Sequence, residues 1–81
     1  MADVVEVRLY AAARAAVGAS TLQVPAGSLS SMLEAIEAEH PPFAPVRSRC
    51  SFLVDGEAVH DPGVVVAPGS VVDVLPPFAG G

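Results

Sequence analysis

The sequence is poor in positive charge: its 81 residues include no lysine, and four arginines stand against nine acidic residues for a formal net charge of −5. Nucleic-acid-binding domains usually carry a basic patch or stripe, so this composition argues against a nucleic-acid partner. An acidic surface weakly favours a basic protein partner and serves solubility equally well. The absence of lysine leaves no side-chain amine to attack an activated carboxyl terminus, although compositional drift is the simpler explanation.

Cysteine is also scarce, since Cys50 is the only one. A single cysteine excludes an internal disulfide and a multi-cysteine zinc site, and it is typical of a reducing cytoplasm. Arg47 and Arg49 lie close enough in sequence to lower the pKa of the thiol. No histidine or asparagine accompanies them, so we expect a small hydrophobic role for Cys50. His40 and His60 are separated and lack the pattern of a metal site.

Long apolar runs are missing as well. No stretch of about 18 uncharged apolar residues occurs, so no membrane span is predicted. The first residues show no basic region followed by an apolar one, so no signal peptide is predicted either. We therefore expect a cytoplasmic protein.

What the sequence does have is 52% hydrophobic residues, arranged in short patterned runs. A chain of this length makes one domain with a modest core. Alternation over residues 4–10 places Val5, Val7 and Leu9 on one face and predicts a half-buried strand. An Asp-Gly pair at residues 55–56 predicts a hairpin turn. Similar runs predict further strands at residues 21–24, 51–54, 58–59 and 71–75.

One amphipathic helix is predicted in the first half of the chain. Ser28 is a suitable N-cap because its hydroxyl can accept an unpaired backbone N–H. Pro41 and Pro42 end the helix near Glu39 or His40. Residues 11–17 predict a short helical turn, and residues 43–49 an irregular segment. The apolar stripe of the main helix has spacing i, i+3, i+4 and i+7 and consists of Leu29, Met32, Leu33 and Ile36.

The order strand, strand, helix, strand, short strand, strand indicates an α+β fold with two layers. It fits a β-grasp, or ubiquitin-like, fold: a mixed sheet of 4–5 strands with one main helix packed on one face. The first and last strands then lie side by side and parallel at the centre, and Arg8 and Asp73 can pair on the exposed face. We expect residues 1–75 to form the domain and residues 76–81 a flexible tail.

The tail is the most informative segment. Two prolines favour an extended path at its start, and the six residues after Leu75 reach roughly 20 Å when extended. A glycine-rich end can enter a narrow active site, where the reactive group is the α-carboxylate of Gly81. Attack on ATP makes this carboxylate an acyl-adenylate, and a sulfur nucleophile then displaces AMP to leave a thiocarboxylate. The residues that would enter the partner are Pro76, Pro77, Phe78, Ala79 and Gly80.

Three segments resemble the MoaD family, the sulfur-carrying small subunits of molybdopterin synthase. They are residues 8–14 (RLYAAAR), residues 52–56 (FLVDG) and residues 73–81 (DVLPPFAGG). The third is the most specific, and the Pro-Pro-x-x-Gly-Gly ending is closer to this branch than to the related ThiS-like carriers for thiamin thiazole. Ala15 stands where the family often has an acidic residue.

The resemblance implies a protein that is no enzyme on its own and that binds no cofactor or metal. An E1-like adenylyltransferase (MoeB-like) uses ATP and Mg²⁺ to adenylate Gly81, and a sulfurtransferase supplies the sulfur. The tail then enters the large subunit (MoaE-like), where sulfur passes to cyclic pyranopterin monophosphate in molybdenum cofactor synthesis. The implied assembly is a heterotetramer of two small and two large subunits.

Partner contacts are expected at Phe78, which can anchor in a partner, and also at Tyr10, Arg14 and Leu75. Arg14 serves a structural role equally well, because its stem can pack and its head can bond nearby carbonyls, and Tyr10 is expected to pack at the sheet edge. Three alternatives stay open: a sulfur carrier for thiamin thiazole or cysteine synthesis, a ubiquitin-like protein modifier, and an interaction module in which Gly80 and Gly81 are incidental.

Overall fold

The computed structural model describes residues 3–77. The elements in chain order are β1 (Val4–Leu9), α1 (Ala11–Val17), β2 (Thr21–Pro25), β3 (Gly27–Ser28), α2 (Leu29–Glu39), α3 (Phe43–Arg47), β4 (Ser51–Val54), β5 (Glu57–Val59), β6 (Val65–Val66) and β7 (Val71–Leu75). Five strands form a mixed sheet in the order β2-β1-β7-β4-β5, and β3 and β6 form a separate two-stranded sheet.

The two central strands, β1 and β7, run parallel, whereas β1–β2, β7–β4 and β4–β5 are antiparallel. The predicted α+β, β-grasp architecture is therefore confirmed, including the side-by-side first and last strands. Because side chains alternate along a strand, residues in register share a face. Val7 pairs with Leu22 on one side and Val72 on the other, and all three face the core.

The core lies between the inner face of the sheet and α2. The four predicted stripe residues of α2 are each at most 2% exposed, and Val72 and Val74 of β7 are fully buried. Burying an aliphatic side chain of this size stabilises the fold by about 1.5–3 kcal/mol relative to leaving it exposed. The buried core residues are Val5, Val7, Leu9, Ala13, Val17, Val24, Leu29, Met32, Leu33, Ile36, Phe43, Val66, Val72 and Val74.

The ends of α2 are as predicted. The hydroxyl of Ser28 accepts a hydrogen bond from the backbone N–H of Ser31 at 3.2 Å. The helix ends at Glu39, with His40 as its C-cap and Pro41 next in the chain. The Asp55-Gly56 turn is also confirmed: both residues have positive φ, 49° and 84°, the combination that a two-residue type I′ hairpin turn requires.

The prediction for residues 43–49 was wrong, because they include helix α3 rather than an irregular segment. Pro42 already has helical φ and ψ of −62° and −13° at the N-cap. Pro45 falls in the first turn, where its missing N–H has no intrahelical partner to lose. The helix buries Phe43 completely, which closes one end of the core. The β3–β6 pair was not predicted, because two-residue strands are too short to show alternation.

Candidate functional site: the root of the tail

The root of the tail is the central strand β7, which is hydrogen-bonded on both sides. It pairs with β1 in parallel and with β4 in antiparallel orientation. After Leu75, which lies opposite Ser51 of β4, Pro76 is buried and Pro77 is exposed. The folded part of the chain thus holds the path of the tail as far as Pro76.

The remaining predicted tail residues, Phe78, Ala79, Gly80 and Gly81, lie outside the described residues. Their roles, and the predicted division between domain and tail, stay predictions. Four residues beyond Pro77 span at most about 13–14 Å when extended. A partner that acts on Gly81 therefore has to approach within that distance of Pro77.

Tyr10 joins the chain after β1 to the tail root. Its hydroxyl donates a hydrogen bond to Oδ1 of Asp73 at 3.0 Å, and the pair is half-buried. Its backbone oxygen accepts from the N–H of Ala13 at 3.0 Å at the start of α1. The expected position at a sheet edge was wrong, because β1 is a central strand. Tyr10 instead connects the first loop to the strand that carries the tail.

The expected pairing of Arg8 with Asp73 was also wrong. The two residues are in register on β1 and β7, but Nε of Arg8 donates to Oε2 of Glu6 at 2.9 Å. Glu6 lies two residues away on the same face of β1. The carboxylate of Asp73 instead accepts a hydrogen bond from the hydroxyl of Tyr10. The Arg8–Glu6 pair is exposed, so solvent screens the interaction and it contributes little to stability.

An apolar patch lies on the outer face of the sheet beside the tail root. It consists of Leu53, Val71 and Leu75, which we call the outer-face patch; all three are partly exposed. Leu53 is in register with Asp73 across β4 and β7, so the patch surrounds the carboxylate that Tyr10 binds. The face opposite the core therefore offers a small apolar patch that is continuous with Leu75 and lies next to two polar pairs, Tyr10–Asp73 and Arg8–Glu6.

Arg14 lies on α1, close to the end that Gly18 caps with a left-handed φ of 82°. Its side chain is exposed and forms no ion pair within residues 3–77. The structure thus places Arg14 at the surface, and its proposed contact with a partner stays a prediction.

Cys50 packs against the core instead of forming a reactive centre. Burial raises the pKa of its thiol, and Sγ lies 3.2 Å from the backbone oxygen of Val46 as a donor. The guanidinium of Arg47 is hydrogen-bonded to Glu37. A groove of about 460 Å³ includes Cys50, Leu29, Leu33 and Phe52 but none of the tail-root residues.

A second groove, of about 370 Å³, adjoins the exit of the tail. We call it the tail-exit groove; it is lined by Ala12, Pro45, Val46, Arg49, Pro76 and Pro77. Sequence reasoning missed it because α3 was not predicted, and α3 supplies one wall. No signal in the sequence marks Arg49 as a neighbour of the tail, since the approach depends on the packing of α1 against α3.

Among residues 3–77 no cluster of three or more His, Cys, Asp or Glu side chains could hold a metal ion. Within the same residues, every helix falls short of the length and apolar character that a membrane crossing requires.

Comparison with known proteins decides the family. The model of the ThiS family matches residues 7–81, nearly the whole chain. The chain belongs to the ThiS family. The small proteins of this ThiS/MoaD-like kind are ubiquitin-like sulfur carriers or modifiers and are generally non-catalytic. A search of curated proteins finds no match.

Solved structures share the fold. SAMP1 from Haloferax volcanii has a TM-score of 0.81 at 25% identity, over 96% of this chain and 99% of that chain. A putative molybdopterin converting factor subunit 1 from Pyrococcus furiosus has a TM-score of 0.80 at 23% identity, over 93% and 98%. A third match is a chain from the protein–protein complex of subunits 1 and 2 of the Helicobacter pylori molybdopterin-converting factor. Its TM-score is 0.71 at 23% identity, over 96% of this chain and 99% of that chain. The MoaD/ThiS-like resemblance seen in the sequence is confirmed.

Proposed function

We propose that this ThiS-family chain is the sulfur-carrying small subunit of a molybdopterin synthase, with Gly81 as its C-terminal residue. The observation that carries the proposal is the origin of the tail in β7, the central strand that is paired on both sides. A tail that starts from this strand is presented in a fixed direction. The family match that extends to residue 81 supports a working role for the last residues.

The chemistry takes place at the carboxylate of Gly81 and needs no acid, base or nucleophile from the folded part. In the active site of an E1-like adenylyltransferase, which uses Mg²⁺, the carboxylate attacks the α-phosphorus of ATP and pyrophosphate leaves. A sulfur nucleophile at the oxidation level of sulfide, supplied by a sulfurtransferase, then attacks the acyl carbon and AMP leaves. The product is a thiocarboxylate.

The sulfur acceptor is cyclic pyranopterin monophosphate, bound by the large subunit. Ala79 and Gly80 carry little or no side chain, so the end of the tail fits a narrow channel. Phe78 anchors the tail where the channel begins. The thiocarboxylate sulfur attacks a pterin carbon and displaces an oxygen leaving group, which gives a thioester between Gly81 and the pterin. Water then attacks the acyl carbon and breaks the acyl–sulfur bond, so the sulfur stays on the pterin and Gly81 returns to a carboxylate for another cycle.

The partner surface is the outer-face patch together with Tyr10 and Arg14. Leu75 belongs to the patch and immediately precedes the tail, so a partner that binds the patch is positioned to take the tail. A protein–protein complex of subunits 1 and 2 is known for the Helicobacter pylori factor. For this chain we propose a heterotetramer of two small and two large subunits.

Complementation tests the role of the tail. In a host that lacks its own small subunit, the wild-type chain should restore molybdenum cofactor synthesis. Deletion of Gly81, or extension of the chain beyond it, should abolish that activity without changing the circular dichroism spectrum or thermal midpoint. Glu34→Gln, at an exposed position of α2 away from the proposed partner surface, is the control that should remain active. An active chain with an extended terminus would refute the proposal.

Affinity capture separates this pathway from other sulfur routes. The chain should retain a molybdopterin synthase large subunit, and Leu53→Arg in the outer-face patch should weaken that retention. Capture of a thiazole synthase instead would assign the chain to thiamin synthesis.

The second candidate is a protein modifier that forms isopeptide bonds. Its support is the similarity to SAMP1, which covers 99% of that chain. The absence of lysine would then prevent the modifier from building chains on itself. Adducts of higher mass that resist thiol reagents and disappear when Gly81 is deleted would favour this function.

A further inference from the structure

The tail-exit groove has no occupant among residues 3–77, although the chain passes directly along it. Pro76 is buried and Pro77 is exposed at the groove wall. The volume of about 370 Å³ falls within the range of pockets that take a compact apolar group. The groove is therefore large enough for an aromatic side chain and lies where one is available.

We propose that the groove binds the side chain of Phe78 of the same chain, and that this is the resting position of the tail. Phe78 directly follows Pro77, so its Cα lies about 3.8 Å from a Cα of the groove wall. No other large apolar side chain occurs in residues 78–81. The occupant is thus fixed by chain connectivity.

The lining of the groove suits a phenyl ring. Ala12, Pro45 and Val46 contribute apolar lining, and Arg49 contributes a cation to the same lining. Arg49 forms no ion pair within residues 3–77, so its guanidinium is available to stack on the ring face. Apolar side chains together with one cation suit a bound aromatic side chain.

Preorganisation favours this docking. The ring of Pro77 fixes its φ near −65°, and the burial of Pro76 fixes the direction in which the tail starts. Fewer backbone rotations are therefore lost when Phe78 binds than for an unrestrained peptide. Docking of Phe78 also limits where residues 79–81 can lie. The same side chain then has to leave the groove before it can anchor in a partner.

NMR spectroscopy of the full chain tests the proposal without any partner and without chemistry at Gly81. Ring contact predicts nuclear Overhauser effects between the Phe78 ring protons and the methyl groups of Ala12 and Val46. Phe78→Leu should move these methyl resonances downfield by removing the ring current. It should leave the amide resonances of β1 and β7 in place, which shows that the fold is intact.

Two further variants test the named contacts. Arg49→Gln should lower the docking equilibrium by about two- to five-fold, the effect of losing an exposed cation–π contact. Arg8→Gln removes the same charge from the outer face of the sheet and should have no effect. Val46→Ala should reduce the ring-current shift at Ala12, because it removes part of the apolar lining of the groove.

The proposal is overturned if the Ala12 and Val46 methyl resonances are the same in the wild type and in Phe78→Leu. It is overturned as well if the contacts vanish on dilution, because the occupant would then be the tail of a second copy. If the methyl resonances shift only when a partner protein is added, the groove belongs to that partner's interface. Failure of any of these tests leaves the sulfur-carrier proposal intact, since that depends on Gly81.

Discussion

The hydrogen bond from Tyr10 to Asp73 should stabilise the tail root measurably, and Tyr10→Phe removes it with little change in shape. The bond is 3.0 Å long and half-buried, and its acceptor is a carboxylate. Hydrogen bonds to charged groups contribute about 1.5–3 kcal/mol. Because water reaches part of this pair, we expect the lower end, about 1.5 kcal/mol.

Urea unfolding measures this change. With a slope of about 1 kcal/mol per molar for a small domain, the urea midpoint should fall by roughly 1.5 M at unchanged slope. The thermal midpoint should fall by roughly 4–8 °C for each kcal/mol. A double-mutant cycle with Asp73→Ala isolates the pair: if the two changes are additive, the hydrogen bond does not stabilise the fold and the reasoning is refuted.

Three other predictions follow from the described residues. Backbone and side-chain hydrogen bonds, chiefly from the N–H of Val71, hold the pKa of Asp55 below its ordinary value. The ionised Asp55 therefore stabilises the fold above the unfolded pKa of about 3.9, and this stabilisation is lost as the pH falls through the lower pKa of the folded state. Asparagine also tolerates the positive φ of this position, so Asp55→Asn is a suitable test variant. Its free energy of unfolding should fall less steeply with decreasing pH than that of the wild type, and an unchanged pH dependence would contradict the assignment. Burial raises the pKa of the Cys50 thiol, so iodoacetamide at neutral pH should alkylate it more slowly than an unstructured cysteine peptide; faster alkylation would show a reactive thiolate. Phe43→Ala should lower the free energy of unfolding by about 3–5 kcal/mol, because Phe43 is fully buried. Leu53→Ala on the outer face should lower it by less, and equal losses of unfolding free energy would contradict the packing described.

The fold was largely predictable because its main signals are local. Alternation gave β1 and β7, and the spacing of the apolar stripe together with Ser28 gave α2. Helix α3 has no such local signal, since a proline in the first turn of a helix has the same letters as a proline that breaks one. The distinction depends on whether Phe43 finds a core to enter, which is a tertiary property.

The candidate site was predictable in outline and not in its contacts. The Gly-Gly ending and the two prolines mark the tail in the sequence. The choice of Tyr10 over Arg8 as the partner of Asp73 depends on side-chain reach across the parallel β1–β7 pair and on competition from Glu6. The approach of Arg49 to the tail exit depends on how α1 and α3 pack, for which neither segment carries a periodic signal.

The central claim is that Gly81 carries sulfur, and mass spectrometry of the terminal peptide tests it most directly. Because the chain has no lysine and Arg49 is its last arginine, trypsin releases residues 50–81 as one peptide. The protein should be made with its activating enzyme and sulfurtransferase as Cys50→Ser, which removes the only thiol, and then alkylated. The account predicts a peptide in which one oxygen is replaced by sulfur and the alkyl group sits on Gly81. A terminal peptide that remains unmodified and unalkylated in the presence of both enzymes and ATP would contradict it.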